Sequence, residues 1–155
     1  MSIKIKKCPA AYIEEPTKED LLVSIAMHIN DVQKGCAFIA NKIIEAGINH
    51  DHTKIPTIGE YMEEYATKRG AEFRAGKWYQ AHITNERHHS NDRCPDDVNL
   101  IDVIELLIDC TMAAMARRGN VRSTETSDFI SIGILEKAFK NTVEMLESEI
   151  IVENE

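Results

Sequence analysis

Six histidines carry the chemistry that this sequence offers: His28, His50, His52, His82, His88 and His89. Neutral imidazole together with carboxylate is an ordinary donor set for Mn, Fe, Co, Ni or Zn, and hard carboxylate oxygens also admit Mg. His50 is followed directly by Asp51 in the short, punctuated stretch INHDHTKIP. A junction between two helices there can turn both side chains toward one centre. His82 precedes the pair His88-His89. In an unbroken helix, His82 and His89 share a face and His88 points about 100° away, whereas an irregular NERHH end admits either as His82's partner. Taken singly, these residues have plain readings. His28 on an apolar face is a satisfied core histidine, and a His pair at a helix C-terminus is favoured by the macrodipole.

A stripe of acids is the second signal. Asp102, Glu105 and Asp109 fall within roughly 60° of one another on a helix. Apolar residues surround almost the whole circumference of the same segment (Val98, Leu100, Ile101, Val103, Ile104, Leu106, Leu107, Ile108, Met112), which predicts a central, buried helix. Burying an unpaired carboxylate is costly, so the stripe requires Arg or Lys partners, shared protons or a cation, unless it reaches solvent.

The elements that must position these residues are helical. Residues 1–16 alternate Ile with Lys and contain two prolines, and they read as an extended arm. Thr17 opens a helix-start signature, and apolar residues recur at helical spacing to a stop at Gly47, which predicts a helix near 18–46. Pro56 and the Thr57-x-x-Glu60 box start a second helix that ends before Gly70. Residues 72–89 read as a third helix interrupted near Gly76. Pro95 with Asp96 and Asp97 caps a fourth over about 97–118, closed by Gly119. A polar linker, NVRSTETS, leads to a last amphipathic helix over about 127–151. No strand-like alternation is expected after residue 16. The reading is all-α: a compact helical bundle of about five main helices, with one domain at 17–151 and an acidic tail at 152–155.

Bulk properties narrow the function classes. The chain has 155 residues, 43% of them hydrophobic, enough to bury a core without staples. Cys8, Cys36, Cys94 and Cys110 form no C-x-x-C pair, and no apolar leader begins the chain, so a cytoplasmic protein with reduced thiols is expected. No run approaches the ~18 apolar residues of a membrane span. A net charge of −8 repels a nucleic-acid backbone and argues against a polymeric nucleic acid as partner. A small phosphorylated molecule stays compatible, because a metal ion and a few local cations override the global field at close range. The long first and last amphipathic helices admit a helix-packed homodimer.

The ordered set His28, His50-Asp51, His82, His88-His89 and Asp109 resembles the HD-domain metal-dependent phosphohydrolase superfamily. More closely, the chain resembles a small uncharacterised HD-like family common in phage and bacterial genomes, with an HD-x-[ST]-K element and a later W-x-x-x-H-x-x-N-x-x-H-H element. Here these stand as His50-Asp51-His52-Thr53-Lys54 and as Trp78 through His89, followed by Glu105-x-x-x-Asp109. The match covers about residues 25–118. It implies an HD-domain-like bundle holding one or two divalent metal ions. His28, His50, Asp51 and Asp109 would bind the first, and Asp51 would bridge to a second held by His82 and His88 or His89. Asp102 competes with Asp109 for the late position, and Asp102 or Glu105 would otherwise support the ligands from behind. Lys54 resembles a lysine that contacts substrate phosphate.

The implied activity is metal-assisted hydrolysis of a phosphate ester or anhydride in a small nucleotide-like molecule. Arg87 and Arg93 are further phosphate clamps, and Glu86 is a proton carrier or a support for the ligands. The glycine-rich motif of the cyclic-dinucleotide phosphodiesterase branch is absent, which argues against that substrate class. The same donors also suit a di-iron HD-fold oxygenase, and a metal- or nucleotide-binding regulatory module without turnover is a further alternative.

Overall fold

The computed structural model describes residues 2–90, 93–121 and 130–153. The fold is all-α, with six α-helices among the described residues and one two-stranded sheet. In chain order the elements are β1 (Ile3–Lys6), a 3-10 turn (Pro9–Tyr12), α1 (Lys18–Asn49), α2 (Ile58–Thr67), α3 (Gly70–Arg74), α4 (Lys77–Asn85), α5 (Leu100–Arg118), α6 (Ile132–Glu149) and β2 (Ile150–Glu153). The chain divides into two compact units, Met1–Lys42 with Val143–Glu155, and Ile43–Thr142. No described helix is long and apolar enough to cross a membrane.

In the first unit, the Ile-Lys alternation of the arm makes a strand. β1 pairs in parallel with β2, Ile3 opposite Ile150 and Lys6 opposite Glu153. Ile3 is buried, and Lys4 reaches Glu153 at 3.0 Å. The expected last helix therefore stops at Glu149, and Val152 and Glu153 belong to a strand rather than a tail. β-branched Ile150, Ile151 and Val152 suit an extended backbone, and the open edge of β1 supplies their hydrogen bonds. The beginning of that helix and most of the expected linker fall on residues 122–129, outside the described ones. α1 starts where the sequence places it: the Thr17 backbone N–H donates to Asp20 Oδ2 at 2.9 Å, and the Asp20 N–H donates to Thr17 Oγ1 at 3.2 Å, a reciprocal cap.

In the second unit, α1 runs past Gly47 to Asn49, and its stop is the turn at His50 and Asp51. Asp51 has a φ of 55°, the left-handed region that Asp tolerates better than most side chains. The expected Thr57-x-x-Glu60 cap does not form. Instead the Thr57 hydroxyl donates to the Thr53 carbonyl at 2.6 Å and accepts from Trp78 Nε1 at 2.8 Å.

The expected third helix is two, α3 and α4, and the second ends at Asn85, before the His pair. Glu64 of α2 explains the break, because its carboxylate accepts from the backbone N–H of Lys77 at 2.8 Å and of Trp78 at 3.3 Å. Orphan donors at the start of α4 are thus satisfied by a side chain from another helix. A Cβ at Gly76 would stand 2.0 Å from Glu64 Oε2, so the carboxylate fits only over a glycine. Tyr61, Tyr65, Phe73 and Trp78 pack edge to face beneath this corner.

α5 starts at Leu100 rather than near 97, because Asn99 is the residue that caps: its side chain accepts from Ile101 N at 2.9 Å, and Asp102 accepts from Asn99 N at 2.9 Å. Gly119, with φ 71°, closes the helix. Val98, Val103 and Ala138 form a small core with Leu100, Ile130 and Ile134 packed on it. The apolar pattern of α5 predicts a helix buried almost all round, and the structure corrects this. Ile101, Val103 and Leu106 are buried, but Leu107, Ile108 and Met112 are exposed.

Candidate metal centre

Three short stretches of the second unit bring the site residues together: the turn after α1, the end of α4 with the turn that follows, and the middle of α5. The first turn is held by backbone bonds from His52 N to Asn49 O (3.1 Å) and from Lys54 N to Asp51 O (2.9 Å). With Asp51 left-handed, adjacent His50 and Asp51 face one centre. α4 buries His82 against Trp78, the two rings stacked at 5.1 Å. Beyond Asn85 the chain turns, with His89 N donating to Glu86 O at 3.2 Å. Leaving the helix lets His88 and His89 both join His82, where a continuous helix would have admitted one.

Asp51, His82, His88 and His89 each offer one ligand atom, and all four atoms lie within 4.8 Å of one another. Asp51 Oδ1 is 3.3 Å from His82 Nε2 and 3.7 Å from His88 Nε2, and His89 Nε2 is 3.0 Å from His82 Nε2. Such separations match donor atoms about 2 Å from a shared cation. Asp51 Oδ1 and both ring nitrogens of His88 are buried without hydrogen-bond partners. Buried polar atoms left unpaired are costly, so this donor set can hold a metal ion on structural grounds.

On the other side of Asp51, His50 Nε2 is 3.3 Å from Asp51 Oδ2 and 3.6 Å from Asp109 Oδ1. Lys54 Nζ makes a short hydrogen bond to Asp51 Oδ2. Glu105 lies behind both imidazoles: its Oε1 accepts from His50 Nδ1 at 2.9 Å and is 3.2 Å from His88 Nδ1, off the hydrogen-bond direction. His50, His88 and Glu105 form a second group of donors close enough for a cation. A carboxylate behind a histidine fixes the ring and leaves the opposite nitrogen as a lone pair for a metal.

A second support was not assigned any part by sequence reasoning, although Thr53 stands inside the HD-x-[ST]-K element. The Thr53 hydroxyl donates to Glu86 Oε1 at 2.5 Å. Its single proton is thereby committed, so at 3.1 Å the Nδ1–H of His82 is the donor to the Thr53 oxygen. His82 Nε2 then carries a lone pair that faces the centre shared with Asp51 and His89. Glu86 also accepts from Thr53 N at 2.9 Å and lies 3.2 Å from His52 Nδ1.

Burial and neighbouring charge set the protonation of the site residues. Burial, the Lys54 charge and His89 push His82 down to about 4, against Asp51 and Glu86, so its ring is neutral near pH 7. Burial also disfavours charge on His88, but Glu105, Asp51 and Asp109 outweigh it and raise its pKa. Burial pushes Asp51 up, yet the Lys54 hydrogen bond and charge, with His50 and His82, hold its carboxyl below the usual range. Glu105 and Glu86 are likewise lowered despite burial, by His88 and His50 and by Thr53.

Other expected residues stand elsewhere. His28 lies in the first unit, in a cleft with Cys8, Tyr12 and Asp31, and in neither donor group. Arg87 is engaged with acids rather than presented as a phosphate clamp: its Nε and Nη2 donate to Asp102 at 2.8 and 2.9 Å and its Nη1 to Asp97 at 3.1 Å. The Asp102 bond above all raises its pKa. Asp102 is therefore the cap of α5 and the partner of Arg87, while Asp109 stands beside His50; neither belongs to the two donor groups. Arg93 donates to Gln80 Oε1 at 3.0 Å. Comparison with known proteins finds no matching family model, no similar curated protein and no similar solved structure.

Proposed function

We propose that this chain is a metal-dependent phosphohydrolase of the HD-domain type, acting on a small phosphorylated, nucleotide-like molecule. One observation carries the reading: a single carboxylate, Asp51, faces His82 and His88 with Oδ1, and faces His50 and Lys54 with Oδ2. A carboxylate with imidazole nitrogens beside both of its oxygens could serve a pair of divalent ions. A metal ion there would supply Lewis acidity toward a phosphoryl oxygen and toward water.

The chain's own residues do the rest. His82, His88 and His89 would hold one ion and His50 with Asp109 a second, while Glu105 and the Glu86–Thr53 pair hold the rings in register. Lys54 is half exposed beside Asp51. Although it also donates to Asp51, its ammonium has two further protons to offer a phosphate oxygen, whereas Arg87 is taken up by Asp97 and Asp102.

The test is elemental analysis of the purified protein, coupled to a phosphate-ester and nucleotide screen with Mn²⁺, Mg²⁺, Co²⁺ and Ni²⁺. Bound metal and release of phosphate that Lys54→Ala lowers without loss of metal support the reading. No phosphate release from any ester or anhydride by metal-loaded protein overturns it.

A further inference from the structure

A cleft of about 210 Å³ adjoins the His50 side of the centre. Two helix faces make it: residues 43, 46, 47 and 50 at the end of α1, and residues 101, 105, 108, 109 and 112 of α5, each set at helical spacing. Ile43, Ala46, Ile101, Ile108 and Met112 form its apolar walls, and His50, Glu105 and Asp109 its polar end. His50 belongs both to the cleft and to the metal centre, so an occupant of one abuts the other. No Lys or Arg lines it. An apolar cavity of about 150 Å³ accommodates a benzene ring, so this cleft has room for one ring and not for two. Its two carboxylates repel a polyphosphate chain, and its walls offer nothing that would replace the hydration of a charged or hydroxyl-rich group.

We propose that this cleft receives the organic group of the substrate, and that the substrate is a phosphate monoester of an uncharged compound with one apolar ring. The inference rests on the phosphohydrolase reading but replaces its nucleotide-like substrate, setting ring-bearing monophosphates above nucleotides and sugar phosphates. Recognition comes from ring burial against Ala46 and Met112, while the phosphoryl group is held by the metal centre and Lys54.

Phosphonates test this without turnover, because their C–P bond is not hydrolysed. Calorimetric titration of Mn²⁺-loaded protein compares phenylphosphonate with methylphosphonate. The expected result is about tenfold tighter binding of the phenyl compound, a difference of ~1.4 kcal/mol. Ala46→Leu, which fills the cleft, abolishes that preference and leaves metal content and methylphosphonate affinity unchanged. Met112→Glu, at the exposed rim, does the same should the leucine variant fail to fold. Equal affinity of the two phosphonates, or a preference that survives both substitutions, overturns the pocket and leaves the phosphohydrolase reading standing. Failure of both phosphonates to bind overturns that reading and the pocket with it. A cleft filled by a second copy of the chain gives equal affinities together with a change of oligomeric size in Ala46→Leu, and this too overturns the proposal.

Discussion

Thr53→Val removes one oxygen from the middle of the site and keeps the side chain's volume. The hydroxyl donates to Glu86 at 2.5 Å and accepts from His82 at 3.1 Å. Both partners are buried, at 5% and 4% exposure. In the variant Glu86 keeps the Thr53 backbone N–H and His52, but His82 Nδ1 loses its acceptor. One charge-assisted bond lost and one buried donor left unpaired amount to about 2–3 kcal/mol of stability. The effect on metal binding is separate: with Nδ1 unsupported, the tautomer that presents Nε2 to the centre is no longer favoured. Loss of such supporting bonds costs about 10–100-fold in metal affinity. Urea denaturation measures the first effect, chelator competition with Zn²⁺ the second, and ¹⁵N shifts of the imidazoles report the tautomer directly. Thr53→Ser restores the hydroxyl and should restore all three. Wild-type metal affinity in Thr53→Val, or a serine variant as impaired as the valine one, would refute the reasoning.

Arg87→Ala leaves the buried Asp102 carboxylate without its bidentate partner. It should destabilise the protein by about 2 kcal/mol or more in urea denaturation while metal affinity stays at the wild-type value. Gly76→Ala drives a Cβ onto Glu64 and displaces the carboxylate that caps α4, a loss of ~1–2 kcal/mol readable as a lower thermal midpoint. For metal-free protein the pH dependence has two limbs. His82 falls to about 4 from its ordinary 6.5, so the unfolded chain takes up the extra proton and stability drops as pH falls between those values. His88 is raised, so its contribution is complete below pH 6.5 and is lost as pH climbs through its folded value. Stability in chelator should therefore peak near pH 6.5. A monotonic rise from pH 5 to 9 would contradict the assignment.

The sequence was readable where structure is local and obscure where a distant side chain decides. Thr17 with Asp20, and Gly119 after Arg118, act on their own helices, and both ends of α1 and α5 that depend on them lie where spacing predicts. Glu64 capping α4 across 13 residues leaves no local trace. Thr57 is an apparent cap whose hydroxyl is taken by Trp78 and Thr53. β2 is strand only because β1 is beside it, and its four residues continue a helical pattern. In the site, residue types and spacing were enough to single out His50, Asp51, His82 and the His88-His89 pair, which the fold gathers. That His88 and His89 both reach His82 depends on the turn after Asn85. That Asp102 is taken up by Arg87 has no local trace, because the pairing of Arg87 with a cap residue is a tertiary fact. Thr53 was visible as a residue but not as a link, because its role exists only once Glu86 and His82 lie on either side of it.

That Asp51, His82, His88 and His89 hold a metal ion is the claim on which the rest depends. X-ray absorption at the metal edge of Mn²⁺- or Fe²⁺-loaded protein tests it directly. The expected result is a bound ion whose shell combines carboxylate oxygen with the multiple-scattering signature of several imidazoles, lost in a variant carrying His82→Ala and His89→Ala. A protein that retains no metal after desalting, or a shell of oxygen alone that those substitutions leave unchanged, would contradict it.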